Sequence, residues 1–294
     1  MRSADTECSD LVCWNIWLHS GGMGVGLASQ SATLSNQEAL LEHFFARLKP
    51  AKTRVLLLDY DGTLAPFRTD TRKAVPYPGV CELIDQIMEN GTTRVVIISG
   101  RWTRDLIPLL NLKQLPELWG THGRERLWPE GRYEFAEISR ETARALMKAD
   151  AWESELALLG ARIERKPASL AIHWRGVPGN RIERICDFVE IHWQRLGRGS
   201  GLELRQFSGG VELLAAGCTK AVAVDTILDE AGADAVAAYL GDDQTDEDAF
   251  DAIKGRGMGV LVSDTFRRTT ADIWLRPPQE LRNFLRDWIN ARHT

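Results

Sequence analysis

The chain reads as an α/β protein, a doubly wound and mostly parallel sheet with a smaller α+β domain inserted into it. Three observations predict this. The segments Val55 to Leu58 and Arg94 to Ile98 are short and almost wholly apolar, the pattern of strands buried on both faces in the middle of a parallel sheet. Helical segments lie between these runs, and a strand, helix, strand rhythm is that of a doubly wound sheet. Between about residues 127 and 214 the order becomes α, β, β, α, β, β, and paired strands with helices segregated to one face make an independent α+β unit.

Residues 1–36 are rich in Ser and Gly without a sustained period, and are read as a disordered leader. Leu11 to Ala28 contains Trp14, Ile16 and Trp17, but Asp5, Glu7 and Asp10 stand where a signal peptide needs positive charge, so export is not expected. Gln37 to Leu48 has helical spacing and is stopped by Pro50. After the first strand, Pro76 to Gly79 precedes a helix running to about Asn90, which Asn90-Gly91 closes as a left-handed cap. The second strand ends in Ser99-Gly100-Arg101, Asp105 to Leu110 is helical, and Leu118 to Gly123 forms a third short strand and a turn. These elements make the first part of the sheet domain, 37–126. The inserted domain, 127–214, has a helix over Ser139 to Leu159, strands over Ala161 to Lys166 and Ser169 to Trp174, a helix over Pro178 to Leu196, and strands over Gly201 to Phe207 and Gly210 to Leu214. The sheet domain resumes over 215–294 with a helix from Thr219, a strand over Val236 to Leu240, an acid-rich loop and a helix over Asp246 to Ile253. Strands at Gly259 to Val262 and Ile273 to Leu275 follow, and Pro277 or Pro278 opens the last helix. Hinges are expected near 124–127 and 214–218.

With 294 residues the chain can bury a full core and one extra domain. A net charge of -5 and a pI near 5.8 argue against a general nucleic-acid or acidic-membrane binder, so an anionic ligand would need a local cluster of cations. The five cysteines are odd in number and lack paired CxxC spacing, which fits a reducing, cytoplasmic setting. No stretch is long and apolar enough to cross a bilayer.

The chemistry centres on Asp59-Tyr60-Asp61-Gly62-Thr63. Asp59 and Asp61 are two apart, so a continued pleat points both to one side, and Gly62 permits a sharp turn. Two carboxylates then crowd the carboxyl end of a central strand, where open α/β sheets place ligands, and they need a cation or a shared proton between them. A hairpin turn is disfavoured because no alternating partner strand follows, and an EF-hand would carry its glycine at the sixth position. The loop Gly241 to Asp248 holds five acids in eight residues. Thr245 with Asp248 fits a capping box, which leaves a surplus of carboxylates. Ser99 alone reads as an ordinary N-cap, and Lys220 alone as solvated surface.

The order Asp-Tyr-Asp-Gly-Thr, then Ser99-Gly100-Arg101, then Lys220, then Gly241-Asp242-Asp243-Gln244-Thr245-Asp246 resembles the haloacid dehalogenase superfamily of phosphatases, and within it is closest to the trehalose-6-phosphate phosphatases. The likeness covers about residues 50 to 290. It implies a Rossmann-like core with an inserted cap and a monomeric enzyme that takes a sugar phosphate. It also implies association with a trehalose-6-phosphate synthase, and neither nucleic acid nor membrane as a partner. Asp59 would be the nucleophile that forms an aspartyl-phosphate. Asp61 would be the general acid and base, for which its site must raise a pKa that is ordinarily ~3.9. Ser99 and the amides around Gly100 and Gly62-Thr63 would cradle the phosphate, and Lys220 would cancel its charge and hold Asp59. Mg²⁺ would be held by Asp59, the main-chain carbonyl of Asp61 and Asp242, with Asp243 and Asp246 behind them. The cap would recognise the sugar through Glu164, Lys166, His173, Arg175 and Glu212, with Arg101, His122 and Gly123 near the phosphate and the hinge.

The sequence departs from that family's pattern at Ser208, Gly210 and Ala221, where a lysine, a polar residue and a glycine are usual. This leaves open the exact sugar: sucrose-6-phosphate, glucosylglycerol phosphate and mannosyl-phosphoglycerate are alternatives. A silent partner domain of a sugar-phosphate synthase is a reading of a different class.

Overall fold

A computed structural model describes residues 27–68, 70–197, 199–207 and 209–291, with residues 27–35 as backbone alone. Of the leader expected over 1–36, residues 1–26 lie outside the described residues, as does the departure at Ser208, whereas 27–36 are helical. The chain divides into two units at Asn36; among the described residues the first unit holds the start of one helix, and Gln37–Thr294 forms the second. Helix α1 spans Leu27–Leu48 and so starts ten residues before the sequence reading has it, since no proline or glycine interrupts the chain after Gly26.

The elements that follow are β1 (Arg54–Leu58), α2 (Val80–Glu89), β2 (Thr93–Ile98), α3 (Thr103–Leu110), β3 (Glu117–Gly120), β4 (Glu125–Leu127) and β5 (Tyr133–Phe135). Then come α4 (Arg140–Asp150), α5 (Glu153–Leu158), β6 (Arg162–Lys166), β7 (Ser169–His173), α6 (Gly179–Gly197), β8 (Leu202–Phe207) and β9 (Gly210–Ala215). The chain closes with α7 (Lys220–Ala231), β10 (Val236–Gly241), α8 (Glu247–Ile253), β11 (Gly257–Val262), β12 (Ile273–Leu275) and α9 (Gln279–Asn290).

These strands form an eight-stranded sheet in the order β12-β11-β10-β1-β2-β3-β4-β5 and a four-stranded sheet in the order β6-β7-β9-β8. The first is parallel from β12 to β3 and antiparallel beyond, the mostly parallel α/β sheet that the apolar runs predict. All five residues of β1 are buried because the sheet is covered on both faces. Leu56 and Leu58 pack with Ile84, Leu106, Phe284 and Trp288 from α2, α3 and α9. Val55 and Leu57 pack on the opposite face with Val224, Ile227 and Phe250 from α7 and α8. The antiparallel second sheet buries Leu170, Ile172 and Leu213 against Leu146, Ile185 and Trp193 of α4 and α6.

Two departures from the sequence reading have physical causes. Strands β4 and β5 extend the first sheet, so the chain leaves it only after Phe135; both are only three residues long, too short for an alternating period to show in the sequence. The single helix read over Ser139 to Leu159 is two, because Trp152 turns out of helical register to pack on Phe188 at 6.0 Å and His192 at 4.8 Å. Among the described residues no helix is long and apolar enough to cross a membrane, and Cys81, Cys186 and Cys218 are unpaired.

Both crossovers between the sheets pass one side chain. The buried guanidinium of Arg124 donates to the carbonyls of Ala136 (3.1 Å) and Glu137 (3.5 Å) on the outgoing crossover, and to those of Ala215 (2.9 Å) and Ala216 (3.0 Å) on the return. A second arginine network staples β2, β3 and β4 to α7. Buried Glu117 accepts from Arg94 (2.6 Å), Arg126 (2.8 Å) and the Trp119 indole (2.8 Å), and both arginines reach Glu230 at 2.7 Å.

The hydrogen bond from Arg126, opposed by burial and helped by Arg94, lowers the pKa of Glu230 from 4.5 to about 2. A carboxyl whose folded pKa is depressed adds stability above its unfolded pKa and loses it as pH falls through the folded one. Wild type should therefore be more stable than Glu230→Gln at neutral pH. Urea midpoints should converge for the two proteins as pH falls from 4.5 to about 2, and a difference independent of pH would contradict this account of the network.

Candidate active site

The register of the first sheet brings strand ends to one edge. Leu58 is level with Ile97 of β2 and Leu240 of β10, so Asp59, Ser99 and Asp242 emerge together. Asp59 is 3 % exposed, and its backbone N–H donates to Leu240 at 2.8 Å. Lys220, the first residue of α7, donates from Nζ to Asp59 Oδ1 at 2.6 Å and to Asp246 Oδ1 at 2.7 Å. Asp246 also accepts from the Tyr239 hydroxyl at Oδ1 and from the backbone N–H groups of Asp242 (3.1 Å) and Asp243 (3.0 Å) at Oδ2. Asp243 in turn accepts from the Gln244 N–H at 2.7 Å. The capping box is thus formed by Asp243 with Asp246 around a short 3₁₀ turn, not by Thr245 with Asp248 as the spacing predicts. The inward pull of Lys220 and Tyr239 on Asp246 moves the cap forward.

Asp59 Oδ2 is buried without a hydrogen-bond partner, and carboxylate oxygens of Asp59, Asp242 and Asp246 lie within 4.8 Å of one another. Burial pushes Asp59 up to about 7 against the pull of Lys220, with Asp246 adding to the rise. Burial also holds Asp242 well above the carboxylate range, reinforced by Asp59 and Asp246. The cluster is short of positive charge. Asp59 and Asp242 make an oxygen donor set that suits a hard divalent cation. Asp246, whose two oxygens accept four hydrogen bonds from the protein, suits the supporting position behind them.

Gly62 is required for this approach. Its φ is +90° and a Cβ would lie 2.1 Å from Asp242 Oδ2, so any other residue displaces that carboxylate. Its N–H is taken by the Ala65 carbonyl at 2.7 Å rather than left for an anion. Thr63 is buried behind it with an unpartnered hydroxyl. Asp61 is held by Arg101 in a bidentate pair, with both contacts at 2.6 Å, and Ser99 Oγ accepts from the Arg101 N–H at 3.1 Å.

Thr121 and His122 take φ of 48° and 56°, left-handed values that cost on the order of 1–3 kcal/mol each in non-glycine residues. Hydrogen bonds from Thr121 N–H to the Arg101 carbonyl (2.8 Å) and from His122 N–H to the Ser99 carbonyl (3.1 Å) fix the bend. The bend carries the His122 ring over Gly100 and into contact with Glu212 of the second sheet, Nε2 to Oε2 at 2.9 Å. Burial lowers the pKa of His122 against the pull of Glu212, so the neutral ring donates from Nε2 to the carboxylate. Glu212 also accepts from Lys166 Nζ at 2.9 Å and from Ser169 Oγ. Burial alone would raise its pKa, but Lys166 and His122 overcome that and hold it below the usual carboxylate range. Glu164 pairs with His173 at 2.7 Å, and strand register sets Glu164 level with Ala171 and Glu212.

Both sheets face one cavity of about 350 Å³. Its wall takes up Asp59, Asp61, Ser99, Gly100, Arg101, His122, Glu164, Lys166, His173, Arg175, Glu212, Lys220, Asp242 and Asp243. Four predicted residues lie behind the wall: Gly62, Thr63, Asp246, and Gly123, where a Cβ would stand 2.6 Å from the Thr219 carbonyl. The sequence reading misses Phe67, Arg68, Arg162 and Phe207, lone side chains in loops and at strand ends with no spacing to announce them.

Lys220→Met strands Asp59 and Asp246 in the interior without a counter-charge, and breaking such a pair costs about 3–5 kcal/mol. Chemical denaturation should register a loss of that order, whereas unchanged stability would show that Lys220 does not neutralise the pair.

Known proteins resemble this chain in sequence and in fold. Residues 57–274 match the trehalose-phosphatase family. A trehalose-phosphate phosphatase of Mycobacterium ulcerans is 31% identical over 238 residues, which are 78% of this chain and 60% of that protein, so the chain spans about three-fifths of that relative's length. The C-terminal domain of Candida albicans trehalose-6-phosphate phosphatase shares the fold with a TM-score of 0.74 over 85% of this chain and 96% of that one, at 20% identity. A haloacid dehalogenase-like hydrolase from Bacillus subtilis does so with a TM-score of 0.55 over 79% and 98%, at 14% identity. By its sequence the chain belongs to the trehalose-phosphatase family.

Proposed function

We propose that the chain hydrolyses trehalose 6-phosphate to trehalose and inorganic phosphate, the last step in making trehalose, with Mg²⁺ as cofactor and an aspartyl-phosphate as intermediate. The observation that carries this reading is Asp59: a buried carboxylate anchored by Lys220 through one oxygen, unpartnered at the other, and facing a cavity lined by acids and amines of the second sheet.

Phosphate-monoester hydrolysis needs an aligned nucleophile, neutralised phosphoryl oxygens and a protonated leaving group. Asp59 attacks phosphorus, forming an O–P bond as the bond to the sugar oxygen breaks. Asp61 delivers a proton to that oxygen and then takes one from the water that attacks phosphorus and frees Asp59. For both steps Asp61 must leave Arg101, and an incoming phosphate gives the guanidinium another anion to bind bidentately. Lys220 holds Asp59 and offsets phosphoryl charge, and Ser99 and the amide of Gly100 face the phosphate. Asp59, Asp242 and the carbonyl of Asp61 would hold the Mg²⁺, which supplies charge stabilisation to the phosphoryl oxygens. Asp243 and Asp246 orient those ligands. The second sheet and its helices act as a cap, where Glu164, Lys166, His173, Arg175 and Glu212 meet the sugar hydroxyls through charge-assisted hydrogen bonds.

Phosphate release should be fastest from trehalose 6-phosphate across a panel of sugar phosphates, and should vanish on chelation and return with Mg²⁺. Asp59→Asn should lose turnover by at least about a thousandfold with its fold intact by circular dichroism. Preference for another sugar phosphate would replace the substrate, full activity after chelation would remove the cation, and near-normal turnover by Asp59→Asn would remove the nucleophile. No turnover of any substrate would leave the silent partner domain.

A further inference from the structure

One part of the cavity wall has no task in that scheme. Phe207, the last residue of β8, lines the cavity and stands edge-on to His173, ring centroids 5.2 Å apart. Its position depends on Gly210: a Cβ there would lie 2.2 Å from Phe207 Cζ and 2.3 Å from the Ile172 carbonyl oxygen. Every other residue at 210 therefore pushes the ring away. Phe67 lines the same cavity from the loop after β1, is 41 % exposed, and lies under the Arg175 guanidinium at 4.5 Å. The groups assigned to the phosphoryl reaction come from the first sheet and its loops, whereas Phe207 comes from the second.

We propose that Phe207 is a specificity-determining residue that offers its ring to the sugar unit not bearing the phosphate. The inference rests on the phosphatase reading above. A pyranose whose ring hydroxyls are equatorial, as in glucose, presents axial C–H bonds on its faces, and the electron-rich face of an aromatic ring meets such a surface. The remaining cap groups, Glu164, Lys166 and Glu212, read hydroxyls directionally. Phe207 adds affinity for a second ring, and selects two-ring substrates over one-ring substrates.

The test compares Phe207→Leu, which keeps apolar bulk beside His173, with Phe207→Tyr, which keeps the ring. For trehalose 6-phosphate, Phe207→Leu should raise KM about five- to tenfold with kcat little changed, a loss in the range of an aromatic contact, and Phe207→Tyr should restore it. The inhibition constant of glucose 6-phosphate, which lacks the second ring, should be the same for all three proteins. An unchanged KM in Phe207→Leu overturns the proposal. So does an equal weakening of glucose 6-phosphate, which would mean that Phe207 acts only by supporting His173. If wild type does not cleave trehalose 6-phosphate, it is the substrate reading that fails. The same variants are then measured on the sugar phosphate that the panel shows to be cleaved, against its one-ring counterpart, and inertness toward every substrate overturns both.

Discussion

The structure of the site depends on one ammonium group shared by two buried carboxylates. Lys220 Nζ lies 2.6 Å from Asp59 and 2.7 Å from Asp246, with all three side chains almost fully withdrawn from solvent. A charge in such a place is tolerated only when paired and hydrogen-bonded, and the surroundings meet that demand. Tyr239 and two backbone amides saturate Asp246, which fixes the ammonium, which fixes one oxygen of Asp59. With two carboxylates against one ammonium and Asp242 beside them, the arrangement is still short of positive charge, which is the deficit that the proposed cation would make up.

The second sheet repeats the same logic at the opposite wall. Lys166, Glu212 and His122 form a buried chain in which one carboxylate receives an ammonium and a neutral imidazole. His122 lies in the turn between β3 and β4 of the first sheet and reaches Glu212 because Thr121 and His122 accept left-handed backbone. Strain in the chain is thus exchanged for a contact between the sheets, at the wall of the cavity where the sugar is proposed to sit.

Much of this was legible from the residues. The apolar runs of β1 and β2 announce strands covered on both faces, and the acids that end β1 announce a charged site at the sheet edge. What stayed hidden depends on contacts distant in sequence. The resemblance names Asp246 as a supporting acid, but no spacing within Gly241 to Asp248 shows that Lys220 and Tyr239 both reach it. Strands β4 and β5 are too short to carry a period, and the break at Trp152 is set by its packing on α6. Phe67 and Phe207 read as incidental aromatics until the second sheet brings them to one cavity. The glycine at 210, which looks like a lost contact in the sequence, makes room for a ring in the structure.

The clamp at Arg124 limits how the two halves of the molecule can move. Its guanidinium grips four carbonyls distributed over both connecting segments, so neither segment can swing while the other stays still. The two connecting segments are thus tied to one side chain instead of running as independent straps. Arg124 is also two residues from His122, which touches the opposing sheet, so the same short stretch of chain joins the crossovers to the cavity wall.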